Sequence, residues 1–319
     1  MTELETQPVV KSPPAPTAKS ATRLLLVVVL LMFLSAPLQS LHFELGLILT
    51  QGLSILLPAL LFWSYYRVDR ASFARLKPLE GRYLPVIIML AVSNWVLLLF
   101  LNGLFHLFLS RFGFKIVEQV PPPENFSQLL FYYLAVAVAA GICEEMLFRG
   151  AIMPALEENG ALPALLLSSL LFAFAHMSLV NLGGTFILGL LMALLVIKTD
   201  SLWAGVIFHI TNNFLSLSFM YLTSRYSSDL FNSLLSITLF LALFPAAGAF
   251  IYGLSRLQQL SKTPPLLREF PPRWPRGWFN WSTALILLIF AAAAAVELLT
   301  GFGIINLAML LSKGVLIHV

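Results

Sequence analysis

Two adjacent glutamates, Glu144 and Glu145, interrupt an apolar run, and Arg149 follows four residues after the second. His176 and His209 sit in the next apolar runs, with Asn213 four residues beyond His209. Carboxylates and imidazoles are the side chains that exchange protons near neutrality, and amide and guanidinium groups can donate to a developing negative oxygen. Together they are the parts of a hydrolytic site. Each also has a plainer explanation: Glu145 and Arg149 stand at the helical spacing at which an ion pair forms, and a lone intramembrane histidine often serves only to hydrogen-bond neighbouring helices. Glu144 resists that explanation. It points about 100° away from Glu145 around the helix and has no obvious local counter-charge, and a carboxylate desolvated in this way is a stronger base than one in water.

The elements that must position these groups are membrane helices. The chain has 319 residues, of which 59% are hydrophobic and 11% charged, and its mean hydropathy is +0.89. Globular chains run at roughly 45–50% apolar and about 25% charged. A hydrocarbon core takes roughly 17–25 apolar residues per helix, and ten runs meet or approach that length: 22–38, 43–66, 83–109, 127–155, 161–178, 183–199, 202–222, 231–255, 280–298 and 301–317. The fifth, sixth and tenth are short. The expectation is an all-α polytopic bundle of about eight to ten transmembrane helices.

That scaffold brings the chemical residues to similar depths. With a turn near Asn159, Glu144 lies about 22 Å and His176 about 26 Å along their helices. From a turn near Asp200, His209 lies about 13 Å and Asn213 about 19 Å away. Ordinary helix tilt accommodates the difference. His106 and Glu297 fall near the outer ends of spans, where contact with headgroups is a sufficient explanation.

The charges give an orientation. With the N-terminus inside, the inner segments collect Lys11, Lys19, Arg23, Arg67, Arg70, Arg75, Lys77, Arg82, Lys198, Arg256, Lys262, Arg268, Arg273 and Arg276, against Arg111, Lys115 and Arg225 outside. Cytoplasmic loops carry such an excess. The expectation is an integral protein of the cell (plasma or inner) membrane with both termini cytoplasmic. Residues 1–21, rich in Pro, Ser and Thr, read as a disordered tail, and 22–126 as N-terminal transmembrane helices retained rather than cleaved as a signal. The segment 223–319 reads as C-terminal helices, with a basic linker at 257–280 whose Trp274 and Trp278 suit the membrane interface. No basic patch with interleaved aromatics points to nucleic acid. The single Cys143 offers no internal disulfide and no thiolate cluster.

Three ordered motifs lie in 127–222. Glu144-Glu145-Met146-Leu147-Phe148-Arg149 fits E-E-x-x-x-R, Phe172 to His176 fits F-x-x-x-H, and His209 to Asn213 fits H-x-x-x-N. In this order, on successive apolar helices, they resemble the CAAX protease and bacteriocin-processing family of intramembrane endopeptidases. The resemblance implies a membrane-embedded peptidase acting on a hydrophobic peptide or membrane-protein segment, prenylated in some relatives. It implies Glu144 as the base, assisted by His176, with His209 and Asn213 stabilising the oxyanion. Arg149 would orient the glutamates and Glu145 support the site. A second mechanism uses Glu144, His176 and His209 as zinc ligands with an open position for water.

Other protease signatures are absent from the sequence: neither H-E-x-x-H nor G-x-S-G occurs, and Asp69, Asp200 and Asp229 fall in loops or at span ends. The rival classes are an ion- or proton-coupled transporter, in which the same residues relay protons, and a non-catalytic immunity or scaffold protein of the same fold.

Overall fold

A computed structural model describes residues 14–41, 43–116, 120–226, 228–266 and 271–305. Of the described residues 78% are helical, and none is in a strand. In chain order the helices are α1 (Ala18–Leu41), α2 (Phe43–Leu49), α3 (Leu57–Tyr65), α4 (Leu84–Ser110), α5 (Phe126–Tyr132), α6 (Ala140–Leu147), α7 (Met153–Leu156), α8 (Ala161–Ala175), α9 (Leu182–Thr199), α10 (Leu202–Arg225), α11 (Asp229–Leu260) and α12 (Trp281–Gly301). A π-helical turn at Thr50–Leu56 joins α2 to α3, and two more, at Tyr133–Ala139 and Phe148–Ile152, join α5, α6 and α7 into one continuous passage.

Among the described residues, seven passages are long and apolar enough to cross a membrane. Two of the expected spans differ from these. α8 has only 15 residues, about 22 Å of helix, which is shorter than a hydrocarbon core about 30 Å thick. α10 has 24 residues, long enough to cross, but it carries His209, Thr211, Asn212 and Asn213 along its length. The expected tenth span lies mostly outside the described residues, as does most of the tail. The first helix starts earlier than the expected span 22–38: the backbone N–H of Thr17 donates to Ser20 Oγ at 2.8 Å and that of Ser20 to Thr17 Oγ1 at 3.3 Å. These reciprocal bonds satisfy amides that a helix start leaves unpaired, so α1 begins at Ala18. The interior of α1 enters the core through Leu25, Val28 and Val29.

The chain passes back and forth between two ends that differ in charge. At the basic end, Arg75 pairs with Glu157 at 2.9 Å and with Asp200 at 3.4 Å, and Lys77 also pairs with Asp200. Lys198 donates to the carbonyls of Thr263 and Pro264, and Asn159 to that of Trp274. Thr263 and Pro264 of the expected linker thus meet the end of α9, and Trp274 meets the α7–α8 turn. α11 also extends to Leu260, several residues beyond the expected start of that linker. At the opposite end, the Lys115 amide donates to the Gly301 carbonyl at 2.7 Å, and Phe114 meets Phe302 edge to face.

α8 and α9 form a short hairpin within this frame. The bundle core is built from α1, the passage through α6 and α7, α8, α9 and α10, with Phe172, Met192 and Phe208 fully buried. α11 lies at the edge, with Leu241, Phe244 and Ile251 exposed, as suits a surface facing lipid tails.

Candidate active site

The motif residues meet where α6, α8 and α10 come together. Glu145 and Arg149 have no exposed side-chain surface, and Arg149 Nη1 donates to Glu145 Oε1 at 2.7 Å. Arg149 Nη2 donates to the Gly189 carbonyl of α9 at 2.9 Å, and the guanidinium lies 4.6 Å from the Phe172 ring centroid. Isolated buried charge is prohibitively costly, so pairing and stacking of this kind are required. The ion pair expected from the i, i+4 spacing is present. It does more than neutralise charge, because His209 Nδ1 also lies 3.2 Å from the same Glu145 oxygen. A carboxylate paired with a guanidinium can only accept, so His209 carries its proton on Nδ1.

Close approach of α10 to α6 depends on Gly205, one turn before His209. A Cβ there would stand 2.6 Å from Glu145 Oε2 and 3.0 Å from Val196 Cγ2. Only a residue without a side chain lets the Glu145 carboxylate lie against α10.

Glu144 faces the other way, toward both imidazoles. Its Oε2 lies 4.0 Å from His176 Nε2 and 4.0 Å from His209 Nε2. These distances exceed a direct hydrogen bond and match the span of one bridging water, since two hydrogen bonds of about 2.8 Å at a water's own angle reach roughly 4–4.5 Å. His176 Nδ1 lies 2.8 Å from the Phe172 carbonyl, which can only accept. Its proton therefore sits on Nδ1 and leaves the Nε2 lone pair facing Glu144. The ring also packs on Phe172 at 4.5 Å. His176 is the most open member of the group, with 38% of its side chain exposed, compared with 13% for Glu144 and 3% for His209.

Asn213 bonds to protein groups on both sides of its amide. Its Nδ2 donates to the Val136 carbonyl at 2.8 Å, and its Oδ1 accepts from Asn212 at 3.3 Å. Val136 lies in the π-helical turn preceding α6, where wider backbone hydrogen bonding reorganises the carbonyls. Asn213 thus ties α10 to the helix that carries Glu144, with one amide hydrogen left for other use.

The zinc arrangement can be tested by spacing. Tying off both Nδ1 protons suits metal ligation. Bonds of about 2.0–2.1 Å in a tetrahedron, however, place ligand atoms roughly 3.3 Å apart, whereas Glu144 Oε2 is 4.0 Å from each imidazole nitrogen. Among the described residues no group of three His, Cys, Asp or Glu side chains is spaced to hold a metal ion. As arranged, the residues do not fit a tetrahedral zinc.

Two contributors escaped the sequence reading. Gln51, in the π-helical turn between α2 and α3, donates from Nε2 to Glu144 Oε1 at 3.1 Å. Its only sequence signal is its place beside Thr50 and near Ser54 in an otherwise apolar run. Glu297 of α12, read as a residue facing headgroups, instead binds the turn that follows His176. It accepts from Ser178 Oγ at 2.6 Å and from the Leu179 and Val180 amides at 2.7 and 3.2 Å. That turn includes Met177 with φ of 50°, an uncommon conformation outside glycine that the glutamate helps to hold.

Residues 126–215 match the family model described as type II CAAX prenyl endopeptidase Rce1-like. The match covers under a third of the chain and contains all six motif residues discussed above. No curated protein and no solved structure matches the chain.

Proposed function

We propose, from the match of residues 126–215 to this family model, that the chain is an intramembrane endopeptidase that hydrolyses a peptide bond with a water activated by Glu144 and His176. The carrying observation is the pair of lone pairs, Glu144 Oε2 and His176 Nε2, facing each other across 4.0 Å. A water donating to both is polarised toward attack, and Glu144 takes its proton as the oxygen bonds to the scissile carbonyl. Glu144 then returns the proton to the leaving amine as the C–N bond breaks. His209, held at Nδ1 by Glu145, stabilises the oxyanion by donating from Nε2 when that nitrogen is protonated. Arg149 holds Glu145 in place, and the remaining amide hydrogen of Asn213 is available to the oxyanion.

The substrate is a hydrophobic peptide or membrane-protein segment that reaches Glu144 along the exposed flank of His176. The basic end faces the cytoplasm, following the charge asymmetry, in the cell membrane.

The test is cleavage of a hydrophobic peptide library by the detergent-solubilised protein and by Glu144→Gln, with elemental analysis of both. Cleavage that persists in chelator, without stoichiometric metal, and is lost in Glu144→Gln is the expected result. Stoichiometric zinc with chelator-sensitive cleavage would replace the water-activating pair by a metal centre. Absence of any product specific to the wild type, together with substrate-dependent flux in vesicles, would replace the peptidase by a transporter.

A further inference from the structure

Gln51 lies 93 positions from Glu144 in sequence and outside the segment matched to the family, yet it makes a direct side-chain hydrogen bond to the Glu144 carboxylate. We propose that Gln51 is a positioning residue that fixes the plane of the Glu144 carboxylate so that its second oxygen faces the imidazoles, an inference that rests on the peptidase reading.

The chemistry fixes the direction of this bond. An ionised carboxylate only accepts, so the amide must present Nε2, and Glu144 Oε1 is thereby engaged. The other oxygen, Oε2, is the one that faces His176 and His209 and has no direct hydrogen bond. Without an anchor on Oε1, rotation about the Cγ–Cδ bond would blur that alignment. A hydrogen bond to a charged acceptor favours the aligned orientation of the carboxylate over unbonded ones roughly tenfold to hundredfold.

The backbone around Gln51 is built to hold it there. On the side facing α1, Thr50 Oγ1 lies 3.3 Å from Ser35 Oγ, and Ser54 Oγ lies 3.1 Å from Ser35 Oγ and 3.3 Å from the Leu31 carbonyl. This polar seam pins the π-helical turn from behind. Single π turns inside α-helices redirect side chains and occur frequently at functional sites, and here the redirected side chain is Gln51. Its own Oε1 is buried without a hydrogen-bond partner among the described residues, so the amide is not held by a second contact that would explain its presence structurally.

Steady-state kinetics of the full-length protein on a peptide it cleaves test the proposal. Gln51→Met preserves volume and helix propensity but removes the donor. It should lower kcat about 10–100-fold, the scale of loss from misplacing a reacting group, with KM within about twofold and thermal stability unchanged. Gln51→Asn keeps the amide, shortens its reach and should fall to the same level. In a Glu144→Gln background, Gln51→Met should leave whatever residual turnover a long-incubation assay detects unchanged. Wild-type kcat in Gln51→Met, a rise in KM alone, or an additive loss in the double variant would overturn the positioning role and leave the peptidase intact. A wild-type protein that cleaves nothing would overturn both.

Discussion

Replacing Arg149 by Met tests whether the Glu145–Arg149 pair is held by its surroundings. Both side chains are fully buried and joined at 2.7 Å, and Arg149 also serves the Gly189 carbonyl at 2.9 Å. The variant leaves Glu145 with His209 as its hydrogen-bonding partner and removes a donor from Gly189. Breaking a buried pair from one side costs about 3–5 kcal/mol, so the loss should fall in that range despite the similar volume of Met. Glu145→Gln should cost a similar amount, because it strands the guanidinium. The double variant removes both charges, and replacing a whole buried pair is often close to neutral. It should be destabilised by only about 1–2 kcal/mol, with activity still depressed because His209 has lost its carboxylate. The assay is denaturant unfolding in one mild detergent, followed by tryptophan fluorescence for all four proteins. If Arg149→Met costs under about 1 kcal/mol, or if the double variant equals the sum of the singles, the pair is solvated or uncoupled and the argument fails.

Glu144→Gln should lower kcat by at least about 10²–10⁴-fold, the usual contribution of a general base, while unfolding at the wild-type midpoint; retained cleavage would remove Glu144 from the reaction. Gly205→Ala drives a Cβ to 2.6 Å from Glu145 Oε2 and should cost about 1–3 kcal/mol as overpacking, with reduced cleavage, measurable in the same unfolding and turnover assays; neutrality would mean that α10 can shift away freely. Glu297→Gln places an NH2 group where three donors converge. Amide hydrogen exchange across residues 176–182 should quicken and kcat should fall about tenfold, whereas unchanged exchange there would separate Glu297 from the turn.

Much of the fold was legible because hydrocarbon thickness imposes a length on apolar runs. Most expected passages from 22–38 to 280–298 correspond to helices, and the spacing of Glu145 and Arg149 foretold their ion pair. The short α8 was also visible in the sequence, but its consequence was not. Ending the helix at Ala175 leaves His176 at a turn, with an open flank and a backbone carbonyl within reach of its Nδ1. That one amide hydrogen of Asn213 is committed to the Val136 carbonyl was not visible in the sequence, because it depends on how α10 packs against the turn before α6.

The sequence by itself determined the membrane bundle, the asymmetry of its basic ends and the identity of the residues that converge. These depend on composition and on the 3.6-residue period, which are local properties. Only the tertiary structure decided which oxygen faces which nitrogen. The π-helical turns at Thr50–Leu56 and Tyr133–Ala139 shift side chains by a fraction of a turn without a sequence signature, and the partners of Glu144 and His176 come from chain segments far apart or from backbone carbonyls. Hydrogen bonds are directional over about 3 Å, finer than any helical periodicity can specify, so Gln51 and Glu297 became recognisable only once packing had placed them.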